Sequence, residues 1–304
     1  MNMLEKIVKY VLHPKFILIK LDRIGLIHLE DQKYIEINYE RVFEKKIDLD
    51  NPKTFNEKIQ WLKLNDRNPF YTQLVDKYEV KKYISKVLGE QYVIPTLGVY
   101  EKFDDIDFEK LPNQFVIKCT HDSGGLVIVN DKTKFNIKKA RKKINNSLRR
   151  NYYYVGREWP YKDVKPRIII EQYMSGLDDS DLIDYKIMCY NGIPKNLFTC
   201  TERYTSDSLK VTFFDMDWNR LPFERHYKSS NKMIEKPKNY EKIIEFSKIL
   251  SKNIPFVRVD WYEVKSQLYF GEMTFYPGCG LEEFSPEEWD LKLGDMINLG
   301  VIKK

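Results

Sequence analysis

The spacing of apolar residues predicts a helical N-terminal part. In residues 51–88 apolar side chains recur at intervals typical of one side of a helix. Thr54 is a candidate N-cap, and Glu57 follows it at the spacing of a capping box. Asn68-Pro69 then interrupts the helix. The apolar stripe of the first helix consists of Ile59, Leu62 and Leu64.

Short segments rich in β-branched and aromatic residues follow, and they predict strands. Asn191-Gly192 is a typical hairpin turn, and a second turn falls near Lys265. The predicted strands are residues 93–100, 115–120, 166–171, 184–190, 195–200, 211–214, 256–264 and 266–275.

Two further helices are predicted in the C-terminal half. One covers residues 240–250, and the other covers 286–299, with Ser285 as N-cap and Pro286 at the first helical position. In the same half of the chain, the two predicted hairpins indicate a largely antiparallel sheet. The expected fold class is therefore α+β.

Composition narrows the class of protein. The chain has 304 residues, of which 42% are hydrophobic and 32% charged. These values exclude collagenous and wholly disordered chains and suit two or three lobes around a core. The net charge of +6 does not by itself indicate nucleic acid, and we expect no nucleic-acid partner. The four cysteines form no C-x-x-C pair, which favours a reducing cytoplasm.

Two lysine-rich segments are relevant to which molecules or surfaces the protein contacts. In the first twenty-one residues lysines interrupt every apolar run, so neither a signal peptide nor a spanning helix is expected. Contact with the inner face of a membrane and a plain solvated helix both remain open for this segment. Residues 132–150 hold nine basic residues and no acidic one, which predicts a basic surface helix. Two interpretations of this helix remain open. It is a solvated part of the lid, or its positive charge attracts an anionic polymer or a lipid-linked glycan. The apolar positions of the first segment are Ile7, Val8, Val11, Leu12, Phe16, Ile17, Ile19 and Leu21.

The predicted C-terminal hairpin carries four polar side chains. Arg258 and Asp260 share one face of the first strand, and Glu272 and Thr274 share one face of the second. A short turn would bring these strands side by side, so that two carboxylates and a hydroxyl converge. At nucleotide sites Mg²⁺ takes such oxygens together with water and phosphates. Taken alone, the pattern would also suit surface ion pairs.

A lysine and a glycine-rich loop add to this pattern. Lys118 ends a predicted strand and precedes the loop HDSGG at residues 121–125, where backbone N–H groups can approach phosphate oxygens. Lys77 lies at the start of a helix. The end of the strand at 166–171 offers free backbone groups beside Glu171 for an adenine ring. The loop is not a Walker loop, and a plain hairpin turn is the alternative.

In this order the motifs resemble the ATP-grasp superfamily, most closely its TupA-like branch, which is associated with teichuronopeptide and cell-surface polysaccharide synthesis in bacteria. The resemblance covers residues 40 to 300 approximately. It implies antiparallel sheets with flanking helices and a small lid domain. We expect an N-terminal helical region at 1–75, the first part of the ATP-grasp unit at 76–110, a lid at 111–175 and a catalytic sheet domain at 176–304. The matching motifs are NPKTFNEKIQWLKL, VDKYEVKKYI, LPNQFVIKC, NYYYVGREWPYKDVKPRIIIEQY, DYKIMCYNGIPK, FFDMDWNRLPF, GEMTFYPG and FSPEEWD.

The resemblance also assigns roles to residues. Two lysines would bind phosphates, the serine and glycines of the loop would cover them, and three residues would hold adenine. Asp184 or Lys186 would approach the ribose and phosphates, and Arg258 would contact the transferring phosphate. His121 would either bind substrate or pack. The remaining assignments are Lys77 and Lys118 for phosphate, Ser123, Gly124 and Gly125 for the loop, Glu171, Tyr173 and Met174 for adenine, and Asp260, Glu272 and Thr274 for Mg²⁺.

The chain departs from the family pattern at two positions. Thr274 stands where the last metal ligand is usually Asn, so the number of Mg²⁺ ions is open. Asp122 stands where a glycine is expected, which adds a negative charge near the phosphates.

The implied reaction uses ATP and Mg²⁺ to join a carboxylate to an amine through an acylphosphate. The expected substrates are an amino acid and a uronate or glycan, and the expected location is the cytoplasm. Tyr152, Tyr153, Tyr154 and Trp159 either stack on sugar rings or fill the lid.

Two other functions remain open. Asp215-Met216-Asp217 follows a strand and resembles the D-x-D motif of glycosyltransferases that use a UDP-sugar, although it lacks a preceding βαβ series and is better interpreted as a turn. An ATP-dependent glycan kinase would share the nucleotide site and differ only in its product.

Overall fold

The chain begins with a helical layer. The computed structural model describes residues 13–174, 182–202 and 209–301, so the apolar and basic positions before residue 13 lie outside the described residues. Helix α1 spans Phe16–Arg23 and α2 spans Asp31–Phe43. The carboxylate of Glu30 caps α2 by accepting from the amides of Gln32 and Lys33. The two helices bury Phe16, Ile19, Tyr34 and Ile37 between them.

A buried arginine fastens this layer to the rest of the molecule. Arg157 donates to Asp22 at 2.7 Å and to the carbonyl of Leu29 at 3.0 Å, and it also pairs with Asp31. Its guanidinium lies 4.2 Å from the ring centroid of Tyr34. Because such a cation is costly to leave unpaired in the interior, these contacts fix the two helices on the body.

The predicted helices around residues 51–88 are three in the structure: α3 (Phe55–Asn65), α4 (Phe70–Val75) and α5 (Glu79–Val87). The capping box is present, with the Thr54 hydroxyl accepting from the amide of Glu57 and the Glu57 carboxylate accepting from the amide of Thr54. Pro69 precedes the first residue of α4, as expected of a residue that breaks a helix.

A four-stranded antiparallel sheet, which we name the lid sheet, follows. Its spatial order is β1 (Thr96–Tyr100), β4 (Ile168–Gln172), β2 (Phe115–Cys119) and β3 (Leu126–Val129). Helix α6 (Ile137–Leu148) packs on one face through Ala140 and Ile144, against Ile117 and Ile170. The short helix α7 (Tyr153–Gly156) precedes Arg157.

The C-terminal half forms a five-stranded antiparallel sheet, here the main sheet. Its order is β10 (Gln267–Thr274), β9 (Phe256–Val264), β5 (Asp184–Tyr190), β6 (Ile193–Thr201) and β7 (Lys210–Asp215). Helix α8 (Tyr240–Leu250) covers one face, where Trp261 donates its indole N–H to the hydroxyl of Ser247 at 2.9 Å. The opposite face carries Arg258 and Asp260 and also apolar side chains, among them Phe256, which packs against Phe55 of α3.

The closing helix differs from the prediction. Helix α9 spans Glu288–Asp295, and Ser285 is not its N-cap. Ser285 instead belongs to β11 (Phe284–Ser285), which pairs with β8 (Glu224–Arg225). Its extended backbone is used by that ladder, and Pro286 lies before the helix.

The α+β class is confirmed by these two antiparallel sheets with flanking helices. The boundaries between the expected units stay predictions, and β1 of the lid sheet lies before residue 111. Among the described residues, no helix has the length and apolar character required to cross a bilayer.

The capping box yields a stability prediction. Thr54→Ala removes the acceptor for the amide of Glu57, so we expect the free energy of unfolding to fall by about 1 kcal/mol. Urea denaturation followed by circular dichroism measures it. Thr54→Ser keeps the hydroxyl and serves as the control, and equal losses in both variants would contradict the capping role.

Candidate active site

The face of the main sheet opposite α8 holds a cluster of buried charged side chains. Lys186 on β5 lies directly opposite Asp260 on β9 in the strand register, and its ammonium bonds to Asp260. Arg258 reaches the same carboxylate from two residues away, through Nε at 2.6 Å and through a terminal nitrogen at 2.7 Å. Asp260 is 1% exposed, and these two cations are its ion-pair partners in the interior.

A β-bulge brings the second carboxylate to this face. Phe270 pairs with Trp261 but Met273 pairs with Val259, so Gly271 and Glu272 together oppose Asp260. In an uninterrupted register Glu272 would oppose Val259 and point to the covered face. The extra residue turns it toward Asp260, which is a common function of bulges beside active sites.

Glu272 completes the acidic pair. Its Oε1 accepts from Arg258 at 3.0 Å and from the hydroxyl of Thr274 at 3.2 Å, while its other oxygen has no hydrogen-bond partner among the described residues. Burial acts to raise the pKa of Glu272, but the cations Arg258, Lys186 and Lys77 outweigh it and hold that pKa at about 2. Glu272 is therefore ionised at neutral pH.

The lid sheet contributes a second carboxylate-centred cluster. Glu171 is 4% exposed and pairs with Lys118 at 2.6 Å and with Lys81 at 2.5 Å. Burial opposes ionisation, yet the two lysines keep the pKa of Glu171 at about 2. Lys81 lies on α5 and was missed by the sequence analysis, whereas Lys77, which was expected at the start of this helix, lies in the turn before it. A lysine one helical turn after Lys77 was the available signal.

An apolar patch lies beside Lys118 on the same face of the lid sheet. Lys118 pairs with Leu126, and Val116 pairs with Ile128, so these four side chains share the face opposite α6. Leu126 is 41% and Ile128 is 38% exposed. Half-exposed aliphatic side chains next to a cation suit one face of an aromatic ring. The sequence analysis did not single out this patch.

The loop at 121–125 folds around Asp122. The carboxylate of Asp122 accepts from the amides of Gly125 at 2.9 Å and Gly124 at 3.3 Å, and it also bonds to the hydroxyl of Ser147 on α6. Lys77 donates to the backbone carbonyl of Asp122 at 2.6 Å. Asp122 thus holds the loop in shape, which accounts for a negative charge that the sequence left unexplained.

The remaining predicted residues lie around these clusters. His121 is buried and its Nε2 lies 3.1 Å from the carbonyls of Ser147 and Arg150, so it packs the loop against α6. The other four predicted residues lie in the loop or at the ends of strands. Ser123 is exposed at the tip of the loop, Tyr173 and Met174 follow β4 and are half-buried, and Asp184 is buried at the start of β5.

The D-x-D motif forms a turn. Asp215 ends β7, and its carboxylate accepts from the amides of Asp217 at 2.9 Å and Asn219 at 2.8 Å. Its second oxygen accepts from the side-chain amide of Asn219 at 3.0 Å. Both oxygens of the Asp215 carboxylate are engaged in this turn.

The acidic pair can be tested for its fit to Mg²⁺. Over the described ranges, no group of three or more His, Cys, Asp or Glu side chains suits a metal ion. Asp260 and Glu272 nevertheless lie on one face with an oxygen of Glu272 unengaged, and Mg²⁺ at nucleotide sites needs only one or two carboxylates besides phosphates. The donor set fits an ion that arrives with a nucleotide, provided that Arg258 or Lys186 releases one of the Asp260 oxygens that they now bind.

Comparison with known proteins identifies the family. A family model described as TupA-like ATPgrasp matches residues 57–298. The chain belongs to this family. The resemblance found in the sequence is confirmed, and with it the ATP-grasp fold and the expectation of an enzyme, an ATP-grasp ligase. No curated protein matches the sequence.

Solved structures similar to this TupA-like protein are distant in sequence. The D-alanine–D-alanine ligase from Bacillus anthracis, complexed with ATP, is 17% identical, with 81% of this chain and 68% of that chain covered and a TM-score of 0.45. The D-alanine–D-alanine ligase from Helicobacter pylori is 13% identical, with 80% and 69% covered and a TM-score of 0.44. A D-cycloserine synthetase is 14% identical, with 75% and 70% covered and a TM-score of 0.39.

The close packing around Gly271 predicts that a side chain at this position destabilises the protein. A Cβ on Gly271 would lie 3.0 Å from the ring of Tyr262 and 3.1 Å from the backbone oxygen of Asp260. We expect Gly271→Val to lower the free energy of unfolding by about 2 kcal/mol through overpacking and to weaken the thermal shift caused by Mg-ATP. Gly271→Ala, with one methyl group, should lose less of both. Wild-type values for the valine variant would show that the close approach is unimportant.

Proposed function

We propose that this enzyme uses Mg-ATP to activate a carboxylate as an acylphosphate and joins it to an amine, in the synthesis of a bacterial cell-wall or capsular polysaccharide. One observation carries the proposal: a cluster on the lid sheet and a cluster on the main sheet each gather cations around a buried carboxylate, and Lys77, which bonds to the loop at 121–125, also acts on the charge of Glu272. The cations are Lys77, Lys81, Lys118, Lys186 and Arg258. A site that brings a carboxylate against a triphosphate requires such a surplus of positive charge.

The nucleotide would lie under the lid sheet. The patch formed by Leu126 and Ile128 suits one side of the adenine ring, and Tyr173 and Met174 would border it. Lys118 and Lys77 would bind phosphate oxygens as compact point charges. Lys81 would keep Glu171 ionised when Lys118 turns to the nucleotide, because the carboxylate then retains one partner. Ser123 at the loop tip would contact the terminal phosphates.

Asp260 and Glu272 would hold Mg²⁺, with the hydroxyl of Thr274 beside them. When bound, the ion would offset negative charge on the phosphates and help to orient them. Arg258, now bonded to both carboxylates, would use its planar guanidinium for the transferring phosphoryl group. Lys186 would approach the same group from β5, and Asp184 would approach the ribose.

The chemistry needs no covalent bond to the enzyme. An oxygen of the substrate carboxylate attacks the γ-phosphorus, the bond to the β-γ bridging oxygen breaks, and ADP leaves. The amine nitrogen then attacks the acyl carbon, the carbon–oxygen bond to phosphate breaks, and the amine loses a proton. The site residues orient the reactants and stabilise the charge on the phosphoryl oxygens.

A glycan kinase would use the same nucleotide site and transfer the phosphoryl group to a hydroxyl. A glycosyltransferase is less well supported, because the chain belongs to the TupA-like ATP-grasp family and Asp215-Met216-Asp217 forms a turn. Product analysis separates the first alternative: amide formation releases free phosphate and ADP, whereas a kinase retains the phosphate on the glycan.

The metal assignment predicts loss of turnover. We expect Asp260→Asn and Glu272→Gln each to lower the rate of ADP release at least about a thousandfold, because each removes a charge that orients Mg-ATP. Far-ultraviolet circular dichroism should remain that of the wild type. Asp215→Asn is the matched control and should keep the wild-type rate. Substantial activity in both site variants would refute the assignment.

The phosphate assignment predicts a loss of nucleotide affinity. Lys118→Met should weaken Mg-ATP binding by about tenfold or more, since it removes a cation from a partly desolvated site. The thermal shift with Mg-ATP, compared with Mn-UDP and UDP-sugars, measures it, because a ligand of the native state raises the melting temperature. A shift with UDP ligands alone, or an unchanged response in the variant, would reject the nucleotide site proposed here.

A further inference from the structure

A further arginine lies on the face of the main sheet that holds the acidic pair. In the strand register Lys186 lies opposite Asp260 and also opposite Phe198. Phe198 in turn lies opposite Phe213, so these side chains share one face. Arg225 of β8 covers both rings, with its guanidinium carbon 5.1 Å from the centroid of Phe198 and 5.6 Å from that of Phe213. The sequence analysis did not single out Arg225.

Arg225 has fewer partners than its burial requires. It is 6% exposed, and its Nη1 is buried without a hydrogen-bond partner among the described residues. Within the same residues one carboxylate lies in ion-pair range, with Oε2 of Glu282 at 2.8 Å from Nε. That oxygen accepts no hydrogen bond, so the contact is poorly directed. The buried Arg157, in contrast, has two carboxylates and a carbonyl as partners. Arg225 thus keeps a donor for an additional anion.

Arg258 approaches the same aromatic ring. Its guanidinium carbon lies 5.7 Å from the centroid of Phe198, so Arg225 and Arg258 border one ring on one side of the sheet. Burial lowers the pKa of Arg225, Glu282 opposes that shift, and the charge of Arg258 adds to it. Two like charges near one ring are stabilised by an anion placed between them.

The backbone of Arg225 is held in place by the two-stranded ladder. Arg225 lies opposite Phe284 of β11, whose ring is buried against Phe55 and Phe223. The amide of Tyr227 also donates to the carbonyl of Arg225, at 2.6 Å. A planar guanidinium on a fixed backbone loses little conformational entropy when it binds a carboxylate.

The strand order separates Arg225 from the side of the sheet assigned to the nucleotide. Glu272 lies on the edge strand β10, whereas Phe198 and Phe213 lie on β6 and β7. The strands between them carry Arg258 and Lys186, which are assigned to the transferring phosphate. In-line transfer requires the attacking and leaving oxygens on opposite sides of phosphorus. An acceptor above Phe198 and a nucleotide near β10 meet this requirement.

We propose that Arg225 binds the substrate carboxylate that accepts the phosphoryl group, above the ring of Phe198 and between Arg225 and Arg258. Nη1 of Arg225 donates to one carboxylate oxygen, and the other oxygen stays available to attack the γ-phosphorus. Arg225 thereby selects an anionic group over a neutral one of the same shape. This inference rests on the proposed function, since it adds a substrate-binding residue to the same site.

The test uses the full-length protein in the presence of Mg-ADP, with D-glucuronate and acetate as carboxylate probes. D-glucuronamide and acetamide are their neutral analogues of nearly equal size. Saturation-transfer NMR titrations measure the dissociation constants. We expect the wild type to bind at least one of the carboxylates, and to bind the corresponding amide at least about tenfold more weakly.

Three variants locate this binding. Arg225→Met should weaken carboxylate binding at least about tenfold. Arg225→Lys keeps the charge and most of the packing but loses the planar fork, so we expect a loss of about threefold or more. Lys228→Gln removes a nearby cation that is 79% exposed and should change affinity by less than about twofold. Circular dichroism checks folding, and the lysine variant decides the outcome if the methionine variant unfolds.

Unchanged carboxylate affinity in the folded Arg225 variants would overturn the proposal, and so would a wild type that binds carboxylates no better than amides. The thermal shift with Mg-ATP should be the same in these variants as in the wild type. Its loss would make Arg225 part of the nucleotide site and would also overturn the proposal.

The wild-type response keeps this inference apart from the proposed function. A normal Mg-ATP shift without carboxylate binding rejects the role of Arg225 alone. Carboxylate binding that depends on Arg225, without any Mg-ATP shift, supports a carboxylate site at this residue and rejects the proposed function.

Discussion

Two buried carboxylates, each shared between two cations, organise the candidate active site. Asp260 is held by Arg258 and Lys186, and Glu171 is held by Lys118 and Lys81. In a poorly hydrated cleft a group of ammonium and guanidinium ions would repel one another and lose hydration. Each carboxylate offsets part of that cost and fixes the direction in which its cations point. The arrangement keeps positive charge in place before any substrate binds.

Much of this organisation could be predicted from the sequence. The capping box at Thr54, the strand pairs and the turn near Lys265 follow from local patterns whose physical causes act over a few residues. The family resemblance supplied the order of the motifs. Local signals failed at Ser285, where pairing with the distant residue Glu224 outweighs the capping preference.

The candidate site was harder to predict than the fold. Alternation along two strands placed Arg258 with Asp260 correctly, but a regular hairpin would send Glu272 to the covered face. Only the bulge at Gly271 brings it back, and the local signal for it is the glycine inside the strand, which suggests a bulge but does not fix the register. Lys81 was missed for another reason: its importance depends on Glu171, a partner ninety residues away. Both features are set by tertiary contacts.

Asp122 gives the loop at 121–125 an anion of its own. Because its carboxylate already bonds to two glycine amides and to Ser147, the loop is shaped during folding rather than during ligand capture. A loop ordered in advance loses little conformational entropy when a ligand arrives. Association is then governed by diffusion and electrostatic attraction, not by a slow rearrangement of the backbone. The residue that departs from the family pattern thereby favours a fast encounter.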